Sequence, residues 1–79
     1  MNSWYKLEVR LPKYVKYVDF LNFKYLWRFI YIDELKITRK EKTNTTWVFC
    51  FNEDYRADIT NALTTFKEAI RKNKLWMYR

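Results

Sequence analysis

The sequence contains no glycine and no histidine, a single proline and a single cysteine. Each shortage removes a class of chemistry. Without glycine there is no phosphate-cradling loop and no dinucleotide fingerprint. Without histidine the commonest general base is missing, and with it the Ser/His and Cys/His nucleophile pairs. One cysteine, Cys50, makes neither an internal disulfide nor a cysteine-based zinc site, and it fits a reducing compartment. No apolar stretch has the length of a signal peptide or a membrane span, so the expectation is a cytoplasmic protein with no membrane partner.

Aromatic residues and positive charge are abundant. Four Trp, seven Tyr and six Phe in 79 residues supply the buried area that so short a chain otherwise lacks. Lys and Arg number 16 against nine acidic residues, a formal net charge of +7. That charge sits at the two ends: residues 1–28 and 55–79 each carry six basic and two acidic side chains, residues 29–54 four and five. With 49% hydrophobic residues, the chain reads as one folded domain spanning residues 1–79.

Tyr5, Leu7, Val9 and Leu11 alternate with polar neighbours, the period of a strand that Pro12 ends. From Lys13 to about Arg28, a helical period places Val15, Val18, Tyr25, Leu26 and Phe29 on one apolar face, with Asn22 a polar intruder. Residues 29–34 either prolong this helix or begin the next strand. Leu35, Ile37 and Arg39 face Phe51, Phe49 and Trp47 in a hairpin closed at Lys42-Thr43-Asn44, with Asn44 suited to the left-handed conformation. Asp54 or Asp58 caps a second helix whose stripe is Ile59, Ala62, Leu63, Phe66, Ala69 and Ile70. Asn73 stops it, and Leu75–Tyr78 reads as a last strand. The order β-α-β-β-α-β predicts an α+β, ferredoxin-like sandwich, a four-stranded antiparallel sheet with two helices on one face.

Few residues point to catalysis. The acidic clusters Asp33-Glu34 and Glu53-Asp54, with Asp58, fit helix starts better than a metal centre. Small CRISPR-associated ferredoxin-like nucleases place an Asp at the end of the first strand, where this chain has Leu11-Pro12. Cys50 lies between Phe49 and Phe51 with no sequence-adjacent cation to activate it. The expectation is a protein that is not an enzyme and needs no cofactor or metal.

The stronger signal is a basic-aromatic surface. On the first helix, Lys13, Lys16, Lys24 and Arg28 fall within an arc of about 120° at 100° per residue, opposite the apolar stripe. Tyr17, Phe20 and Trp27 share that arc. The second helix and its extension add Lys67, Arg71, Lys72 and Lys74. Side-by-side helices then join these cations into one patch. Cations neutralise phosphates and aromatic rings stack on unpaired bases, so RNA is the expected ligand, with weak sequence preference. Two other readings compete: a merely solvated face, and a homodimer burying Tyr17, Phe20 and Trp27. The second is compatible with RNA binding, because dimerisation doubles a basic patch, and a homodimer is the expectation. The alternative partner is an acidic host protein met by the same surface. On the sheet, Trp47, Phe49 and Phe51 pair in phase with Leu35 and Ile37 and so face the core. The open face then shows Trp4, Lys6, Arg10, Lys36, Lys40 and Trp76, without the stacking aromatics of an RNA-recognition motif.

A short, glycine-free chain rich in Lys, Asn, Tyr, Phe and Ile, with stretches such as Asn22-Phe23-Lys24-Tyr25 and Arg39-Lys40-Glu41-Lys42-Thr43-Asn44, resembles in compositional style the small early proteins of T-even-like phages. The likeness lies in composition and not in any motif. It implies a host-takeover or counter-defence role in the bacterial cytoplasm, a class that includes RNA-binding inhibitors of toxin–antitoxin ribonucleases. It does not resemble the strongly acidic DNA mimics.

Overall fold

The computed structural model describes residues 3–79. Strand β1 (Trp4–Arg10) leads into two short helices, α1 (Tyr17–Leu21) and α2 (Trp27–Tyr31). Strands β2 (Leu35–Arg39) and β3 (Thr46–Asn52) form a hairpin. A 3-10 turn, Glu53–Tyr55, opens the long helix α3 (Arg56–Arg71), and a second, Leu75–Tyr78, follows it. The class is α+β, but the four-stranded ferredoxin-like sandwich does not form. The sheet has three antiparallel strands in the order β1-β3-β2.

The hairpin takes the expected register: Leu35 opposes Phe51, Ile37 opposes Phe49 and Arg39 opposes Trp47. On the other side of β3, Tyr5, Leu7 and Val9 oppose Phe51, Phe49 and Trp47. A strand's period of two therefore gathers the apolar positions of all three strands on one face, under the helices. Trp47, Phe49 and Phe51 are buried in the core. Against them α3 lays Ile59, Ala62, Leu63, Phe66 and Ala69, the stripe its sequence spells out.

The expected long helix over Lys13–Arg28 is broken, and the reason lies in the spacing of its buried residues. Val18 and Tyr25 are exposed, whereas Phe20, Phe23 and Leu26 are buried and Phe29 packs against the same core. These four recur every three residues, not every 3.6. Each is tied to the one before by its backbone: Phe23 N–H to Phe20 C=O (3.2 Å), Leu26 to Phe23 (3.1 Å) and Phe29 to Leu26 (3.1 Å). These i to i+3 bonds tighten the chain at Phe20, Phe23 and Leu26, alongside i to i+4 bonds from Trp27 to Phe23 and Ile30 to Leu26, and so keep all four side chains inward.

The C-terminal segment leaves the sheet for a similar reason. Tyr78 lies 5.5 Å from the Phe23 ring, and its carbonyl accepts the Lys24 N–H at 2.6 Å. It covers the junction between α1 and α2 instead of lengthening the sheet. Trp76, placed on the open sheet face by its sequence, is exposed within this turn instead.

With no glycine available, other residues take the left-handed positions that end helices. Asp33 (φ 59°) closes α2, so residues 29–34 finish the helix and turn before β2 begins. Its N–H bonds Ile30 C=O, and Glu34 N–H reaches Phe29 C=O. Asn73 (φ 55°) closes α3 in the same way, with Asn73 N–H on Ile70 and Lys74 N–H on Ala69. In the hairpin the left-handed residue is Lys42 (φ 65°), not Asn44. Nor does Asp54 or Asp58 cap the second helical region. β3 runs on to Asn52, whose buried side chain accepts the Asp54 N–H at 2.9 Å.

Candidate nucleic-acid interface

The predicted binding residues lie on three parts of the chain. Lys13 and Lys16 are exposed in the segment entering α1, where the Lys16 N–H donates to Asp19 Oδ2 at 2.8 Å and fixes the helix start. Tyr17, the first residue of α1, is exposed and meets Phe20 edge-on at 6.5 Å. Phe20 is wholly buried, against the expectation that it shares the exposed arc. The break in the helix separates this group from Lys24, Trp27 and Arg28.

Lys24 and Arg28 line one wall of an open groove of about 450 Å³ together with Tyr25 and Phe29, and Asp58, Asn61 and Thr65 of α3 line the other. Both cations sit over aromatic faces. Lys24 Nζ lies 5.1 Å from the Tyr25 ring centre and 5.8 Å from that of Tyr78, and the Arg28 guanidinium lies 5.5 Å from Trp27. Trp27 in turn meets Tyr31 edge-on at 5.6 Å. Neither cation has a carboxylate partner among the described residues, where the ion pairs are Lys40–Glu8, Arg71–Glu68 and Lys72–Glu68.

The α3 cations do not join this group as one patch. Arg71 and Lys72 both turn to Glu68, which they hold below the usual glutamate range, the Arg71 hydrogen bond first among the causes. Lys67 projects from the flank away from the groove, about 160° around the helix from the groove-lining Thr65 at 100° per residue. There it lines a second groove, with Leu7 and Arg10 of β1. Lys74 follows the end of α3 and is exposed.

The open face of the sheet carries a further set of cations. Lys6 and Lys36 flank Cys50 from either side, and Arg10 opposes Thr46 at the far end of β3. Lys40 crosses β3 to reach Glu8 at 2.9 Å. Because Trp47, Phe49 and Phe51 point the other way, this face offers phosphate contacts without the paired stacking rings of an RNA-recognition motif. Among the described residues, no three acidic or cysteine side chains converge as metal ligands, and no helix is long and apolar enough to cross a membrane.

The sequence reading assigned Tyr25 to the buried face, and so missed it and Tyr78 as the rings that flank Lys24. The signal for Tyr25 is the three-residue spacing of Phe20, Phe23, Leu26 and Phe29, which turns it outwards; Tyr78 comes from a distant segment and has no such signal. No protein family, curated protein or solved structure matches the chain.

Proposed function

We propose that the chain is a non-enzymatic RNA-binding protein, a phage-type regulator or inhibitor of a host nuclease system, that holds RNA on Lys24, Trp27 and Arg28 beside the groove and on the separate cluster Lys13, Lys16 and Tyr17. The observation that supports it most is the pairing of Lys24 and Arg28, both free of carboxylates among the described residues, with the exposed rings of Tyr25 and Trp27. Cations so placed neutralise phosphates and release counterions, and the adjacent rings offer stacking surfaces to unpaired bases. Arg71 and Lys72 contribute less, because Glu68 already neutralises part of their charge. Asp58 sits on the far wall of the groove, which keeps phosphates at the rim.

The test is fluorescence anisotropy with labelled single-stranded RNA, double-stranded RNA and DNA across a salt titration. Four phosphate contacts on a single strand give a log–log salt slope of about −3, and Lys24→Glu with Arg28→Glu removes most of the affinity. Weak binding to all three probes, or a complex insensitive to salt, rejects the reading. A partner protein that stays bound after ribonuclease treatment identifies protein docking instead.

A further inference from the structure

With no fourth strand, the outer edge of β1 is unpaired among the described residues. The backbone there has a definite phase. Leu11 N–H bonds Thr45 C=O and Glu53 N–H bonds Ser3 C=O, so the odd-numbered residues of β1 bond inwards to β3. By alternation the N–H and C=O groups of Trp4, Lys6, Glu8 and Arg10 point outwards, ready to pair with another strand.

The side chains along this edge show which strand fits. Leu7 belongs to the helix-covered face, yet it is 37% exposed. It opens onto a groove of about 300 Å³ between β1 and the Thr60, Thr64 and Lys67 flank of α3. The β2 edge leaves no such apolar surface, since Leu35 and Ile37 are buried.

We infer that a second copy of this chain docks here, β1 against β1, about a two-fold axis at Leu7. In that antiparallel register Lys6 lies opposite Glu8 of the second copy, Glu8 opposite its Lys6, and Trp4 opposite its Arg10. On the helix side, Leu7 meets Leu7 and Tyr5 meets Val9. Both crossed charge pairs are opposite in sign, and Trp4 receives a cation over its ring. A one-residue slip sets the core face of one copy against the solvent face of the other. A two-residue slip sets Lys6 against Lys6, or Glu8 against Glu8 with Lys6 against Arg10. Of these registers, the one that overlaps the whole of β1 is the one in which the edge is self-complementary, as an isologous contact requires. The product is a six-stranded sheet in which the cations Lys6, Arg10, Lys36 and Lys40 of both copies share one open face.

Sedimentation equilibrium of the full chain tests this. The wild type is expected to be a dimer. Lys6→Glu and Glu8→Lys are each expected to weaken it by about tenfold or more, because each makes both crossed pairs repulsive. An equimolar mixture of the two variants is expected to restore a dimer, since one chain then carries two carboxylates where the other carries two ammonium groups. That recovery also shows that both variants fold. In the wild type, the amides of Lys6 and Glu8 should exchange hydrogen more slowly as protein concentration rises. A monomer at millimolar concentration, a dimer indifferent to both substitutions, or variants that do not recover on mixing overturns the proposal.

Discussion

Glu8 and Lys40 meet across a strand that belongs to neither of them. Their side chains close to 2.9 Å over β3, joining β1 to the residue that follows β2. The Lys40 ammonium, by hydrogen bond and charge, holds the Glu8 carboxyl below the usual glutamate range, with a smaller contribution from Lys6.

A pH dependence follows. A lowered carboxyl favours the folded state above its unfolded value, and that advantage is lost as pH falls through the folded value. Compared with Glu8→Gln, the wild type should melt higher at neutral pH, and the gap should close in acid. The pair is exposed, so the gap is small. Melting curves of both proteins from neutral to strongly acidic pH check it. A gap that widens in acid contradicts the assignment.

The core has its hub at Phe20. Its ring lies 4.9 Å from Trp47, 5.4 Å from Phe49 and 5.1 Å from Phe66, and it is wholly buried. Phe20→Ala removes a packing partner from α3 and from β3 together, at a cost of about 3–5 kcal/mol. That is a large fraction of the roughly 5–15 kcal/mol that holds a typical domain folded. Urea denaturation should show a midpoint far below that of the wild type.

At the hairpin loop, Lys42 holds a left-handed conformation that costs most L-residues about 1–2 kcal/mol. Asparagine tolerates that region, so Lys42→Asn should stabilise the fold by about 0.5 kcal/mol and raise Tm by a few degrees. Asn73→Ala should do the reverse at the end of α3, lowering stability by about 1 kcal/mol. Thermal melts of the two variants give opposite shifts if the left-handed positions are as described.

If RNA lies along the rim of the helical groove, Asp58 on the facing wall opposes it. Asp58→Lys should then tighten RNA binding severalfold and steepen the salt slope by about 0.7, one added phosphate contact on a single strand. The same titration that measures the wild type reads this out. Unchanged affinity places the RNA elsewhere on the molecule.

Local pattern by itself determined the β2–β3 hairpin with its register, the inward turn of Trp47, Phe49 and Phe51, the buried stripe of α3 and its stop at Asn73. In each, neighbours in sequence or one tight turn set the geometry, and the period of two or 3.6 is long enough to read. Tertiary structure alone decided the break between α1 and α2, because a repeat of three is favoured over a helix only when Phe66, Trp47 and Tyr78 stand ready to bury Phe20 and Phe23. It decided likewise that Leu75–Tyr78 covers Phe23 rather than extending the sheet, and that Lys67 turns away from Lys24 and Arg28. Those outcomes depend on which surfaces meet across the fold, and the spacing of residues along one segment carries no record of its distant partners.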